Sequence, residues 1–332
     1  MITKNRNQTI DMLRGIAALC MILGHSFIVY PIDISNVPWC STFRYVIYTF
    51  HMELFFILAG WVYKCTSYLS FIKKKATRLL IPYFLFGFFS QVLHILGGSL
   101  VNGNRSLAEG IYTLLFRGGD YWFLPTLFII CAVYPLFDYL VKGWKAKIVA
   151  LAIILLLYNI IDWPQTLLLR TSMKYFPYFI LGDLIGKSGI TEHEHTASQK
   201  ALLGFGGIAV YIAIYVLCTL GIIQLGHFGV LLRAVSFCTM LYALCKYAIF
   251  LPCRIKHAVQ SLLGDCSKFS LQLYLFNGYI LVPIRTIMCS ILHIESPLLL
   301  VSGIWIGNIV ITLLVCKVIL PKSKLLSFLC GL

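Results

Sequence analysis

A chain of 332 residues that is 60% hydrophobic and 12% charged, with a mean hydropathy of +0.88, lies well outside soluble composition, in which about 25% of residues are charged. It reads as a polytopic membrane protein. The formal charge of +15 does not indicate a nucleic-acid partner, because the 27 lysines and arginines sit in small clusters between apolar runs rather than on one basic domain.

Windows of about 20 apolar residues, the length that spans a bilayer, fall at 8–30, 42–63, 79–97, 121–141, 146–162, 173–188, 201–223, 227–250, 268–290 and 297–320. The expectation is an all-α bundle of about ten transmembrane helices forming a single domain over 1–332, with no separate soluble domain.

The first window carries Arg14 and His25 inside an apolar run. In a helix the eleven steps between them come to about 1100°, so the two side chains share one face. At about 1.5 Å per residue their Cα atoms lie about 16 Å apart. A guanidinium in such a span costs about 2.5–3.5 kcal/mol even on insertion scales, which marks the face as functional.

The second window adds His51 and Glu53, about 200° apart on a helix and so on different faces. His51 is the pocket-lining candidate, with Glu53 as its support or as the partner of a buried arginine, Arg14 or Arg233. Between the second and third windows, Tyr68 to Leu80 mixes Phe71, Leu79 and Leu80 with Lys73, Lys74, Lys75 and Arg78. That pattern suggests an amphipathic stretch at the interface, with Pro82 opening the third span. It reads equally as ordinary anchoring or as a basic rim for an anionic, nucleotide-bearing ligand.

Residues 98–120 form the longest external loop, with a short helix expected over 106–116 and Gly118, Gly119 and Asp120 as turn punctuation. Beyond it, Tyr121 and Trp122 stand at the start of the fourth span, where an aromatic belt explains them as well as ligand stacking does. Asp183 lies beside Gly182 and Gly186, which permit close helix packing, so its first reading is structural. The alternating acids and histidines of Thr191 to His195 read as a solvated loop. Neither CxxC nor HExxH spacing is present, and most of the cysteines fall in or beside apolar runs as small hydrophobes, so no metal is expected. Cys40 and Cys289 stay open as an outer-face pair.

With the N-terminus inside, basic residues concentrate on the cytoplasmic side, against Arg44, Arg105, Arg117, Arg170 and Lys174 outside. This asymmetry predicts both termini in the cytoplasm. A histidine near neutrality takes a proton from a hydroxyl and an arginine holds phosphate or an oxyanion, so the pair suits group transfer to an alcohol.

Asp11-x-Leu13-Arg14-Gly15 leading to His25 closely resembles the signature of membrane acyltransferase family 3, the bacterial O-acyltransferases of surface glycans. Phe50-His51-Met-Glu53-Leu-Phe-Phe-Ile-Leu-Ala-Gly60 resembles the family's second-span block, with Ala59 in place of its usual serine. Arg78-Leu-Leu-Ile-Pro82-Tyr83, Tyr121-Trp122-Phe123-Leu124, Phe176 to Gly182 and Ser270-Leu-Gln-Leu-Tyr274-Leu-Phe-Asn277 match later blocks in order. Asn277 stands where histidine is common, so no proton-transfer role carries over to it.

The resemblance implies a bundle in the bacterial inner membrane that moves an acyl group, usually acetyl from acetyl-CoA, to a saccharide hydroxyl. Arg14 and the rim Lys73, Lys74, Lys75 and Arg78 would hold the donor. His25 would be the base or acyl carrier, with His51 and Glu53 beside it. Tyr121, Trp122, Tyr274 and Asn277 would meet the acceptor. A transporter or flippase of a glycan precursor is the competing class, although the two halves show no convincing repeat.

Overall fold

The computed structural model describes residues 7–96, 106–189, 195–222, 225–247 and 253–332, and these residues are helical with no strand among them. Each of the ten apolar windows contains helix among the described residues. Six are long and apolar enough to cross a membrane by length and composition: Tyr68–Leu96, Phe123–Leu140, Ser198–Thr219, Gly226–Lys246, Ser270–Ile291 and Pro297–Lys322. Large apolar side chains such as Leu136, Tyr139, Ile160 and Phe205 are exposed on the outside of the bundle, as expected of a surface that meets lipid tails rather than water.

Helix α1 (Gln8–Ser26) starts where the Asn7 side chain accepts from the backbone N–H groups of Thr9 and Ile10 at 3.1 and 3.4 Å, satisfying donors that a helix start leaves open. The second window is not one helix. It breaks at Thr49–Phe50 into α2 (Pro38–Tyr48) and α3 (His51–Trp61). The third span begins earlier than expected: α4 runs unbroken over Tyr68–Leu96, so the basic stretch forms its first turns and Pro82 lies inside the helix rather than opening it. The short helix expected over 106–116 is present as α5 (Leu107–Tyr112), held by a capping box in which Ser106 and Glu109 bond each other's backbone N–H.

Next come α6 (Phe123–Leu140), α7 (Trp144–Ile160), α8 (Leu169–Ser188), α9 (Ala197–Ala201), α10 (Gly207–Thr219) and α11 (Gly226–Tyr247). The order closes with α12 (Cys253–Lys268), α13 (Ser270–Thr286), α14 (Pro297–Leu314) and α15 (Lys324–Leu329). The central core joins α1, α3, α6, α8 and α11 through Leu13, Phe56, Tyr134, Phe179 and Ala234.

Two contacts explain glycines of the sequence blocks. A Cβ at Gly182 would lie 1.9 Å from the carbonyl oxygen of Ile57, so α8 and α3 touch backbone to backbone. At Gly15 a Cβ would lie 2.3 Å from the carbonyl oxygen of Leu263, so α12 crosses α1 directly beside Arg14. Gly182→Val forces α3 and α8 apart and is expected to destabilise the fold by about 3 kcal/mol or more. Detergent-solubilised variant should show a depressed melting temperature and reduced yield.

Asp183 proves to be a tie between helices. It accepts from Tyr134 Oη at 2.8 Å and pairs with Lys147 and Lys187, both of which also pair with Asp138. Cys40 and Cys289 are both free, buried thiols in one apolar cluster. Of the Thr191 to His195 segment, only His195 lies within the described residues.

Candidate active site

At the His25 end of α1 the bundle holds a partly open cavity of about 330 Å³ with both polar and apolar lining. α1 supplies His25, α4 supplies Ser90 and His94, and α13 supplies Tyr274, Asn277 and Arg285. The turn before α6 adds Asp120 and Tyr121. From Tyr274 to Arg285 the lining of α13 extends about 16 Å along its axis, so the cavity follows that helix for about three turns.

Ser90 and His94 are one turn apart and share a face of α4. Asp120 reaches both: its Oδ2 accepts from Ser90 Oγ and from His94 Nε2, the latter at 3.2 Å. Because a carboxylate only accepts, Nε2 of His94 carries its proton toward Asp120. The approach depends on the reversal at Gly118 and Gly119, whose φ values of 79° and 53° lie in the left-handed region, which glycine enters without a Cβ penalty. Tyr121 Oη donates to the Leu275 carbonyl at 2.9 Å and Tyr274 Oη to the Asp120 carbonyl at 3.2 Å. These two bonds staple the turn to α13 and present aromatic rings, with their hydroxyls engaged, to the cavity.

Of the residues singled out in the sequence, His25, Tyr121, Tyr274 and Asn277 are brought together in this cavity. Other expected members are not. His51 turns its Nδ1 onto the Ile47 carbonyl at 2.7 Å, capping the oxygen at the break between α2 and α3, and it is not among the cavity's lining residues. The Tyr48 ring meets both His51 and His25 edge-on, at centroid distances of 5.1 and 6.4 Å.

Glu53 is buried and pairs at 3.9 Å with Lys174 of α8 rather than with Arg14 or Arg233. The reason is the close α3–α8 contact, which leaves Glu53 facing α8. Arg233 instead bonds the Tyr45 hydroxyl. Trp122 stacks on Tyr175 at 5.3 Å and 23°, outside the cavity lining.

Arg14 lies in the second turn of α1, about 16 Å along the axis from His25 and 4.0 Å from Asp11, which also accepts from Ser267 of α12 at 3.1 Å. Lys73, Lys74, Lys75 and Arg78 do gather, with Ser70 and Thr77, along a separate groove of about 630 Å³ closed by Phe328 and Gly331. Arg14 does not line it. α4 thus carries the basic groove on its first turns and the cavity on its last, with Arg78 and Ser90 about 18 Å apart along the axis.

Sequence reasoning missed Ser90, His94, Asp120 and Arg285 as a set. His94 had a usable signal, a titratable group ending an apolar run. Asp120 looked like turn punctuation. Among the described residues, no group of three His, Cys, Asp or Glu side chains is placed to hold a metal ion.

A family model described as "Acyltransferase domain", of the acyltransferase 3 family, matches residues 7–319. The chain belongs to the acyltransferase 3 family. It is 28% identical over 223 residues to Nodulation protein NolL of Sinorhizobium fredii (strain NBRC 101917 / NGR234), covering 62% of this chain and 56% of that protein. It is 26% identical over 196 residues to Nodulation protein NolL of Mesorhizobium japonicum (strain LMG 29417 / CECT 9101 / MAFF 303099), covering 56% and 49%. The chain spans about half the length of these curated relatives. No solved structure matches. The family match runs through α1, α4, the Asp120 turn and α13, and so includes every element that builds the cavity.

Proposed function

We propose that this acyltransferase 3 member is a membrane O-acyltransferase that moves an acetyl or other acyl group from cytoplasmic acyl-CoA to a hydroxyl of a cell-surface or lipid-linked saccharide. The observation that carries the reading is the cavity at the end of α1, where two histidines, one paired with a carboxylate, line the same space. Intramembrane ionisable groups gathered in one cavity are functional by default, and imidazole is the side chain suited to taking a hydroxyl proton near neutral pH.

The distribution of basic residues supports ten spans with both termini cytoplasmic. The Arg14 end and the groove of Lys73 to Arg78 then face the cytoplasm of a bacterial inner membrane, and the His25 cavity opens outward. The lysines and Arg78 provide cations for the donor's phosphates. His25 takes the proton of the acceptor hydroxyl, or carries the acyl group before passing it on. Asp120 holds His94 across the cavity and offsets the positive charge that develops when imidazole takes up a proton. Tyr121 and Tyr274 offer ring faces and edges to a sugar.

The test uses membrane vesicles from cells that lack the gene, complemented with the wild-type chain and supplied with radiolabelled acetyl-CoA on the cytoplasmic face. Label is expected in the extracted glycan fraction. Reversing Lys73, Lys74 and Lys75 to glutamate should raise KM for acetyl-CoA about tenfold with kcat little changed, the signature of lost donor binding. Translocation of glycan with no acetyl transfer would replace this reading with a transporter.

A further inference from the structure

Asn308 lies fully buried on α14 and contacts Asn277, one of the residues that line the cavity. Its Nδ2 donates both to the main-chain carbonyl of Asn277 at 3.0 Å and to Asn277 Oδ1 at 2.9 Å. On its other side, Thr312 Oγ1, also fully buried, donates to Asn308 Oδ1 at 3.3 Å.

A main-chain carbonyl can only accept, so this contact fixes which end of the Asn308 amide faces Asn277. The oxygen of the Asn277 side chain is thereby the end that is held, and its NH2 group points away from Asn308. Asn277 lines the cavity. The polar edge it offers there is therefore a pair of N–H donors in a fixed orientation.

We propose that Asn277 is a catalytic residue that binds the carbonyl oxygen of the acyl group as negative charge builds on it, and that Asn308 is the positioning residue that keeps its N–H group turned toward that oxygen. The inference rests on the acyl-transfer reading above and deepens it. The acceptor oxygen forms its bond to the acyl carbon while its proton passes to His25. The carbonyl oxygen takes the electron pair and lies against Asn277 Nδ2. Collapse breaks the carbon–sulfur bond, and His25 returns the proton to the departing thiolate. Donors preset in a water-poor site stabilise such an oxygen with no reorganisation at the moment of reaction, and loss of one lowers kcat by about 100–1000-fold.

Asn277→Asp keeps the shape of the side chain and replaces the donor with an acceptor. In the vesicle assay it should lower kcat about 100-fold while KM for acetyl-CoA stays within about threefold, a split that a merely structural defect would not produce. Asn308→Asp presents an acceptor to Asn277 and turns its amide round, so it should show the same split, and the double variant should lose little more than either single one.

A second measurement needs neither variant to fold: the infrared spectrum of isotope-labelled acetyl-CoA bound to His25→Ala protein in which Asn277 and Asn308 are intact. Its thioester carbonyl should absorb at lower frequency than that of free acetyl-CoA. A carbonyl at the free frequency, or an Asn277→Asp variant that retains kcat within threefold, overturns the inference. If the wild-type chain transfers no label at all, the acyl-transfer reading itself fails. If it transfers label and Asn277→Asp matches it, only this inference fails.

Discussion

His25→Ala is expected to lower acyl transfer about a thousandfold, within the range by which a positioned acid–base group accelerates proton transfer. The loss should be chemical rather than structural. His25 is exposed to the cavity, whereas the residues that anchor the same end of α1, such as Met21 and Ile22, are buried. The ring makes an edge contact with Tyr48 at 6.4 Å, and removing it leaves the apolar contacts of α1 in place. Variant and wild-type protein should therefore reach the membrane in equal amount and melt at similar temperature. Imidazole in the medium should restore a measurable part of the rate, because the vacated space adjoins a 330 Å³ cavity. Rates of label transfer with and without imidazole check both statements.

Asp120→Asn should lower kcat about 10- to 100-fold. The substitution keeps the size of the side chain but removes the carboxylate that holds His94 at 3.2 Å and meets Ser90. It leaves the turn in place, since the staples from Tyr121 and Tyr274 use main-chain oxygens and not the Asp120 carboxylate. A steady-state comparison separates this from donor binding. KM for acetyl-CoA should hold, because the basic groove begins about 18 Å away along α4. An equal loss in Ser90→Ala would shift the weight from charge to the hydroxyl contact.

The helices were legible because about 20 apolar residues have little alternative in a bilayer, where each backbone polar group must find its partner within the segment. What interrupts them was not. The break at Thr49–Phe50 sits in a continuous apolar run, and only the three-dimensional capping of Ile47 by His51 reveals it. Pro82 looked like a boundary because proline starts helices well, yet α4 continues through it. α12 went unseen because its polar composition reads as a basic loop, although it packs directly on Gly15.

The site divides in the same way. His25, Tyr121, Tyr274 and Asn277 carried local signals and do share a cavity. The partnership of His94 with Asp120 depends on a turn between distant segments, and that of Asn277 with Asn308 on the packing of α13 against α14. Neither is written in spacing along one helix. Glu53 shows the converse: its charge invited an arginine partner, and the close α3–α8 contact supplied Lys174 instead. Arg14 and His25 both lie on α1, but only His25 lines the cavity, whereas Arg14 pairs with Asp11 beside the contact with α12.

The most direct test of the central claim is mass spectrometry of surface glycans from cells with the gene, cells without it, and deletion cells complemented with wild-type or His25→Ala protein at matched expression. Acyl mass increments present in the wild type, lost on deletion, restored by the wild-type gene and not by His25→Ala are the expected result. An acyl pattern that does not change when the gene is removed would contradict the account.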